Sequence, residues 1–357
     1  MTAARAATAA GPAAAEGERA LLEVRDICVD FAGRSSLLGG LLGREQPSTA
    51  RAVDGVDLEL RRGEVLALAG ESGCGKTTLA RTIMGLERPG RGEVRYAGEP
   101  ITRDLRRYRR RVQMVFQDPT GALNPRQTIY ESVAEGLRIH RIPGREEELV
   151  GAALTRAGLR PARRFFLLYP HELSGGQRQR AVIAGALALE PELLVADEPV
   201  SMLDASVRGE ILRLLLKLRA ELGLAILVVT HDLGLAWTVA DRVAVMYLGR
   251  IVETGPAEAV LTNPLHPYTR ALLASVLTPE PGLGVPDAGL GATPPDPLNV
   301  PSGCRFHPRC PAVGSGRAAD EGVEGACRHE DLGLVELRPG HFAACHLAAK
   351  LEGPSTP

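Results

Sequence analysis

The stretch Gly70-Glu71-Ser72-Gly73-Cys74-Gly75-Lys76-Thr77 matches the pattern G-x-x-x-x-G-K-[ST] between an apolar run at 65–69 and a predicted helix that begins near Lys76. In this context the N–H groups of a glycine-rich loop surround phosphate oxygens, and the helix start adds partial positive charge. Lys76 is expected to reach the β- and γ-phosphates and the Thr77 hydroxyl to bind Mg²⁺. The alternative is a chance glycine-rich turn beside a surface lysine. The predicted nucleotide contacts are Gly70, Ser72, Gly73, Cys74, Gly75, Lys76, Thr77 and Thr78.

A second motif supplies the carboxylates that hydrolysis of a bound nucleotide requires. Four apolar residues at 193–196 predict a buried strand, and Asp197 and Glu198 follow it directly. Asp197 is expected to support the Mg²⁺ shell, and Glu198 is expected to polarise the attacking water. Two adjacent acids could also be a solvated strand end, but their combination with the phosphate loop favours an NTP-hydrolysing site.

Other apolar runs predict the fold class. The runs at 225–230 and 243–246 are typical of buried strands in a mainly parallel sheet. The clearest helix follows Asp204, with apolar residues at three- and four-residue steps until Gly223. Strands and helices alternate, so the sequence predicts an α/β domain.

The predicted organisation has three parts. Residues 1–20 are expected to be a disordered tail rather than a transit peptide. Residues 21–277 form the nucleotide-binding domain. Residues 278–357 form an extension that opens with a Pro/Gly-rich linker and carries four cysteines.

The overall composition excludes several classes of protein. The 357 residues are 45% hydrophobic and 24% charged, with a formal net charge of -1, so no polyanion partner is expected. The basic run at 103–111 is interpreted as a solvated helix face or a contact to a membrane partner, not a nucleic-acid site. The sequence has no apolar stretch near the ~18 residues of a spanning helix.

The stretch LSGGQ at 173–177 precedes a predicted helix and gives a second helix start that could receive an anion. In isolation, an N-capping serine followed by flexible glycines would be the preferred interpretation. Because the chain already has one phosphate site, a second, separate site implies that the two sites are used between two chains.

In order and approximate spacing these motifs resemble the ABC ATPase family over residues 21–277. The series consists of the phosphate loop, VFQDP at 115–119, LSGGQ, LLVADEP at 193–199, SMLD at 201–204 and VVTHD at 228–232. The resemblance implies a P-loop NTPase fold with a RecA-like core, and a helical subdomain at about 118–185. It also implies ATP and Mg²⁺ as ligands.

The same resemblance implies roles for individual residues. Gln117 contacts Mg²⁺ and senses the transporter interface, and Glu198 is the general base. His231 holds the γ-phosphate, and Asp204 bridges subunits. Phe31 stacks on adenine, although a Gly/Leu-rich insertion follows it. The residues that complete the partner chain's ATP site are Ser174, Gly175, Gly176 and Gln177.

Two further stretches, NPLHPYTRAL at 263–272 and GCRFHPRCP at 303–311, are similar to the oligopeptide/dipeptide importer branch of the family. That branch implies a second ATPase subunit, with a heterodimer favoured over a homodimer. It also implies two membrane permease subunits, an indirect link to a solute-binding protein, and a peripheral position on the cytoplasmic face of the membrane. An importer for another solute such as nickel, and a soluble ABC ATPase acting on nucleic acid or ribosomes, are the alternatives.

The extension contains Cys304, Cys310, Cys327 and Cys345, whose thiolates could bind one metal centre. Short C-x₂-C pairs typical of zinc ribbons are absent from the sequence, although nearby histidines keep mixed Cys/His zinc open. The resemblance favours a [4Fe–4S] cluster, with metal-free packed cysteines as the third alternative. The nearby histidines are His307, His329, His341 and His346.

Overall fold

The computed structural model describes residues 20–32, 49–276 and 296–353. Residues 1–19 of the predicted N-terminal tail, most of the insertion after Phe31 and most of the Pro/Gly linker lie outside the described residues. The strands are β1 Leu22–Ala32, β2 Thr49–Leu60, β3 Val65–Ala69, β4 Arg91–Tyr96, β5 Glu99–Pro100, β6 Val112–Val115, β7 Leu193–Asp197, β8 Ala225–Thr230, β9 Arg242–Tyr247, β10 Arg250–Pro256, β11 Val335–Arg338 and β12 His341–Ala343.

The helices alternate with the strands through most of the chain. They are α1 Lys76–Ile83, α2 Leu105–Arg111, α3 Pro119–Ala122, α4 Ile129–His140, α5 Glu146–Arg156, α6 Gly175–Leu187, α7 Ala205–Leu222, α8 Leu233–Val239, α9 Ala257–Thr262, α10 Pro267–Val276, α11 Pro311–Gly314, α12 Arg317–Asp320, α13 Glu324–His329 and α14 His346–Glu352.

The main sheet has eight strands in the order β11-β12-β10-β9-β3-β8-β7-β6. Neighbouring strands from β9 to β6 are parallel, which confirms the prediction from the apolar runs. Every residue of β3, β7 and β8 is buried, because the sheet is covered on both faces.

The two faces of the main sheet pack against different layers. On one face, Leu193 and Val195 contact the core beneath an antiparallel sheet of order β2-β1-β4-β5. On the other face, Leu194 lies in a core formed with helices α4 to α7. The antiparallel sheet does not follow from the sequence reasoning above, which recognised only the strands that are buried on both faces.

The residues after the linker extend the main sheet. β12 pairs antiparallel with β10, and β11 pairs with β12 at the edge. Glu253 of β10 is fully buried beneath this edge and accepts hydrogen bonds from the N–H groups of Leu265 and His266. The cysteine-bearing segment is therefore built onto the body through backbone pairing.

Most of the basic run at 103–111 lies in α2. Tyr108 is buried, and its hydroxyl donates to the Ile83 carbonyl at 2.6 Å. Arg109 donates to the Gly85 carbonyl at 2.7 Å, and Arg111 pairs with Glu192 at 2.7 Å. These two arginines of the basic run therefore make contacts within the chain.

Candidate active site

The phosphate loop connects β3 to α1, and its shape requires glycine at two positions. Gly70 and Gly75 have φ angles of 154° and 108°. A Cβ on Gly70 would lie 2.2 Å from the Met246 carbonyl oxygen, and one on Gly75 would lie 2.1 Å from the Ala52 carbonyl oxygen. Any larger residue at either position would therefore push the loop off the strands beneath it.

The loop wraps around the side chain of Lys76, which is 5% exposed. Its ammonium donates to the carbonyl oxygens of Gly70 and Glu71, each at 2.8 Å. These contacts hold the charge at the concave side of the loop, where phosphate oxygens would replace the carbonyl contacts.

A carboxylate lies beside the first turn of α1. The Thr77 hydroxyl is 3.4 Å from Oδ1 of Asp197, the last residue of β7. Burial raises the pKa of Asp197 above its usual value, and the neighbouring Glu198 charge acts in the same direction. A bound cation would offset both effects, so this partly buried pair of oxygens suits a divalent metal ion.

Three polar side chains follow three adjacent parallel strands and meet. Glu198 accepts a hydrogen bond from Gln117 Nε2 at 2.9 Å, and its other carboxylate oxygen lies 2.9 Å from His231 Nδ1. Gln117 follows β6, Glu198 follows β7 and His231 follows β8. Ligands of open α/β sheets bind at this carboxyl end of the strands.

Glu198 also has an unusual backbone conformation. Its φ is 45°, in the left-handed region that non-glycine residues rarely adopt. Its N–H is satisfied by the Val229 carbonyl at 2.9 Å, and its carbonyl accepts from the Ser201 N–H at 3.2 Å. Such strain concentrates at functional sites, where the surrounding structure holds one side chain in place.

The LSGGQ stretch forms the start of α6. Ser174 and Gln177 make a reciprocal capping box, in which each side chain accepts from the other's N–H at 3.3 Å and 3.0 Å. A Cβ on Gly176 would lie 2.6 Å from Val207 in α7, and one on Gly175 would lie 3.6 Å from Leu203. The segment therefore packs at the start of α7.

Asp204 lies at the same place. It is the N-cap residue of α7 and is exposed, and its side chain makes no capping hydrogen bond. Within the described part of the chain, no hydrogen bond joins this segment to the phosphate loop. The predicted residues thus fall into two separate groups. One group lies around Lys76 and Glu198, and the other lies around Ser174 and Asp204.

Phe31 lies near the end of β1 and is 42% exposed. It pairs with Ala50 of β2, two residues before Ala52, whose carbonyl contacts the phosphate loop at Gly75. The pairing of β1 with β2 therefore places Phe31 beside the part of β2 that reaches the loop, a relation that depends on pairing between distant residues.

The structure adds two residues to the loop that sequence reasoning missed. The Tyr268 hydroxyl accepts a hydrogen bond from the Glu71 N–H at 2.9 Å. The Arg309 guanidinium pairs with the Glu71 carboxylate. Both lie in stretches singled out above, NPLHPYTRAL and GCRFHPRCP, but neither stretch indicates a contact to the phosphate loop.

The four cysteines of the extension line one small cavity of about 10 Å³. All four are free thiols. Burial raises the pKa of Cys304 to about 12 and that of Cys345 to about 11, so both thiols are neutral near pH 7. Among the residues that the structure describes, no group of three or more His, Cys, Asp or Glu side chains is arranged to hold a metal ion.

Histidines differ in their relation to this cavity. His266, His307 and His346 line it. His266 Nδ1 accepts from the Tyr268 N–H at 3.0 Å, whereas its buried Nε2 has no hydrogen-bond partner in the described structure. His341 instead contacts Glu253 through Nε2 at 2.7 Å, so that nitrogen is engaged elsewhere.

A helix long and apolar enough to span a bilayer does not occur in the described ranges.

The fold and the site define a P-loop NTPase. The ABC transporter family model matches residues 53–201, and the model of the oligopeptide/dipeptide transporter C-terminal region matches residues 252–316. The oligopeptide transport ATP-binding protein OppF of Escherichia coli (strain K12) is 45% identical over 327 residues, covering 89% of this chain and 96% of OppF. The chain belongs to the ABC transporter family of ATP-binding proteins.

Two further comparisons agree with this assignment. AppF of Bacillus subtilis (strain 168), an oligopeptide transport ATP-binding protein, is 41% identical over 93% of this chain and 99% of its own length. A solved ATP-binding cassette, described as dimeric in a post-hydrolysis state with ADP and Pi, is 28% identical with a TM-score of 0.57. The match covers 66% of this chain and 98% of the solved cassette. The predicted fold class, family resemblance and ATP-hydrolysing activity are confirmed.

Proposed function

We propose that this chain binds and hydrolyses Mg-ATP to drive import of oligopeptides or dipeptides through a membrane permease. The meeting of Gln117, Glu198 and His231 beside the phosphate loop carries the hydrolytic part of the proposal. The peptide cargo is supported by the match to the oligopeptide/dipeptide transporter C-terminal region and by the names of the relatives.

Each residue of the first group has a chemical role in this proposal. Lys76 and the loop N–H groups bind the β- and γ-phosphates. Thr77, Asp197 and Gln117 support Mg²⁺. Glu198 accepts a proton from the attacking water. Its carboxylate lies between two side chains that fix its orientation, which is the arrangement that a general base requires.

His231 is assigned to the γ-phosphate. In the described structure its Nδ1 contacts Glu198, and the ring is more than half exposed. Nucleotide would therefore bind where this exposed ring can donate to a phosphate oxygen. Phe31 is assigned to the adenine ring because it is exposed near the end of β1, beside the strand β2 that reaches the loop.

The second group of residues is proposed to act on the nucleotide of another chain. Ser174, Gly175, Gly176 and Gln177 form a capped helix start whose N–H groups can receive a γ-phosphate. Asp204 is exposed next to it and can bridge the two subunits. The dimeric solved relative with ADP and Pi supports a nucleotide-dependent dimer.

The proposed assembly follows from this composite site. The chain pairs with a second ATPase subunit, preferably an unlike one, on the cytoplasmic face of the membrane. Two permease subunits bind the pair, and a solute-binding protein delivers cargo to them. The nucleotide-binding domain is assigned to residues 21–277, with its helical subdomain at about 118–185, and the extension to residues 278–357.

Reconstitution tests the cargo. The chain is co-expressed with the permease, ATPase and binding-protein genes that neighbour its own, and ATPase activity is measured in proteoliposomes. Di- and oligopeptides are expected to stimulate hydrolysis in the presence of the binding protein. Stimulation by nickel but not by peptides would show that the cargo assignment is wrong. Co-purification with ribosomes or DNA in place of permease subunits would overturn the proposal that the chain serves a transporter.

The cysteine cavity is proposed to bind a [4Fe–4S] cluster. Four free thiols around one cavity, together with the unpartnered His266 Nε2, supply suitable donor chemistry. The cavity as it stands holds about one water, and the thiols of Cys304 and Cys345 are protonated, so loading requires deprotonation and reorientation of these side chains. A bound cluster would supply a one-electron redox centre.

Anaerobic purification tests this second proposal. Absorption at about 400 nm and stoichiometric iron are expected, and Cys310→Ser should remove both. Cys28→Ser is the matched control, because Cys28 is a buried free thiol of β1 that does not line the cavity. If zinc is found without iron, the proposed cluster is wrong and a mixed Cys/His zinc site takes its place. If the protein is colourless and metal-free, the cysteines only pack against one another.

A further inference from the structure

An arginine of the C-terminal extension reaches the phosphate loop. Arg309 Nη1 and Nη2 lie 3.0 and 3.1 Å from the two carboxylate oxygens of Glu71. The two side chains are only 15% and 22% exposed. Paired N–H···O contacts of this kind fix both position and direction, which a single contact to a flexible side chain does not.

The same loop residue is held through its backbone. The Glu71 N–H donates to the hydroxyl of Tyr268, a fully buried residue. The Tyr268 ring lies 4.6 Å from Tyr247 and 5.4 Å from Phe306, a residue of the extension three positions before Arg309. Glu71 is therefore anchored to this aromatic cluster directly through Tyr268 and indirectly through Arg309, which donates to the Tyr247 hydroxyl at 3.3 Å.

The third contact of Glu71 leads to the phosphate-binding lysine. Its carbonyl oxygen accepts from Lys76 Nζ at 2.8 Å. Displacement of Glu71 would thus move an oxygen that holds the ammonium group. The chain of contacts runs from the extension to Glu71 and from Glu71 to Lys76, with every distance within hydrogen-bond range.

Charge gives the pair a second effect. Glu71 places a carboxylate in a loop that must accept a polyanion, and Arg309 neutralises it at close range. Loss of Arg309 would both free the loop and leave a negative charge near the phosphates. Exposed ion pairs contribute little, but this pair is largely buried and its acid belongs to the binding loop.

We infer that Arg309 is a positioning residue of the nucleotide site, which holds the phosphate loop through Glu71 and makes ATP affinity depend on the C-terminal extension. The inference rests on the proposed nucleotide site. Arg309 is adjacent to Cys310, which lines the cysteine cavity, so the same short segment borders both sites.

Calorimetry tests the inference by measuring how tightly a non-hydrolysable Mg-ATP analogue binds to the full-length chain. Arg309→Ala is expected to weaken binding by about three- to tenfold, and Arg309→Lys to weaken it less because charge is retained. Arg328→Ala is the matched control, since Arg328 pairs with Glu324 in the same extension on α13. It should bind as the unmodified chain does.

A double variant separates the effect of the Arg309–Glu71 charge pair from a general loss of packing around the phosphate loop. Glu71→Gln removes the carboxylate, so Arg309→Ala with Glu71→Gln should bind more tightly than Arg309→Ala alone. A purely structural loss of packing would not be rescued in this way. Equal binding by Arg309→Ala and the unmodified chain, or absence of rescue, would overturn the inference. Failure of the unmodified chain to bind would instead refute the nucleotide site itself.

Discussion

Replacement of Glu198 by glutamine probes the proposed general base with a minimal change of shape. Glutamine has nearly the same size and can still accept the hydrogen bond from Gln117. It lacks the negative charge that faces His231 and cannot accept a proton from water. We therefore expect the fold and the binding of Mg-ATP to survive, whereas the chemical step is lost.

The expected size of the effect follows from the role. A positioned general base contributes about 10²- to 10⁴-fold to a rate, which corresponds to about 3–5 kcal/mol of transition-state stabilisation. Both carboxylate oxygens are held by contacts of 2.9 Å, so the base is oriented before nucleotide binds and the upper part of this range is expected.

Single-turnover release of phosphate measures the rate, and size-exclusion chromatography with Mg-ATP measures dimerisation. Glu198→Gln should accumulate as an ATP-bound dimer, because closure still occurs and hydrolysis no longer opens it. Glu221→Gln, a change at an exposed glutamate near the end of α7, is the control and should behave normally. Near-normal turnover by Glu198→Gln would refute the assignment.

Three other predictions concern separate parts of the chain. Cys74→Ser should stay active because the backbone at position 74, not its thiol, shapes the loop, whereas alkylation of the buried Cys74 should block ATP binding by bulk; an inactive serine variant would contradict this. Ser174→Ala should leave ATP binding by the single chain intact but abolish dimer-dependent hydrolysis, and full-rate hydrolysis by a monomeric preparation would refute the composite site. Burial lowers the pKa of His266 to about 4, so the unfolded chain binds more protons between that value and about 6.5. Stability should therefore fall by about 2 kcal/mol from this group between pH 7 and pH 5, and urea unfolding should show a smaller loss for His266→Gln.

Sequence reasoning worked best for strands that are buried on both faces. The runs at 65–69 and 225–230 coincide with β3 and β8, because a strand without a solvent face has no polar residues to obscure it. The helix after Asp204 was equally clear, since its apolar spacing and Gly223, at φ 64°, mark its face and its end.

The antiparallel sheet was harder to predict. Leu58 and Leu60 of β2 are buried, but the exposed Glu59 lies between them, and partners such as Leu22 lie far away in sequence. β11 and β12 are short strands at the sheet edge, stabilised by pairing with β10. Their residues carry too little local pattern to indicate a strand without that partner.

The loop glycines, Lys76 and the two acids at the end of β7 are local patterns. They can be recognised in the sequence alone because phosphate binding requires a short run of neighbouring residues. The convergence of Gln117, Glu198 and His231 was decided by strand order, which places the ends of β6, β7 and β8 side by side. The contact between Arg309 and Glu71 joins residues 238 positions apart. No local pattern encodes such a pair, because only the packing of the extension against the aromatic cluster brings the two charges together.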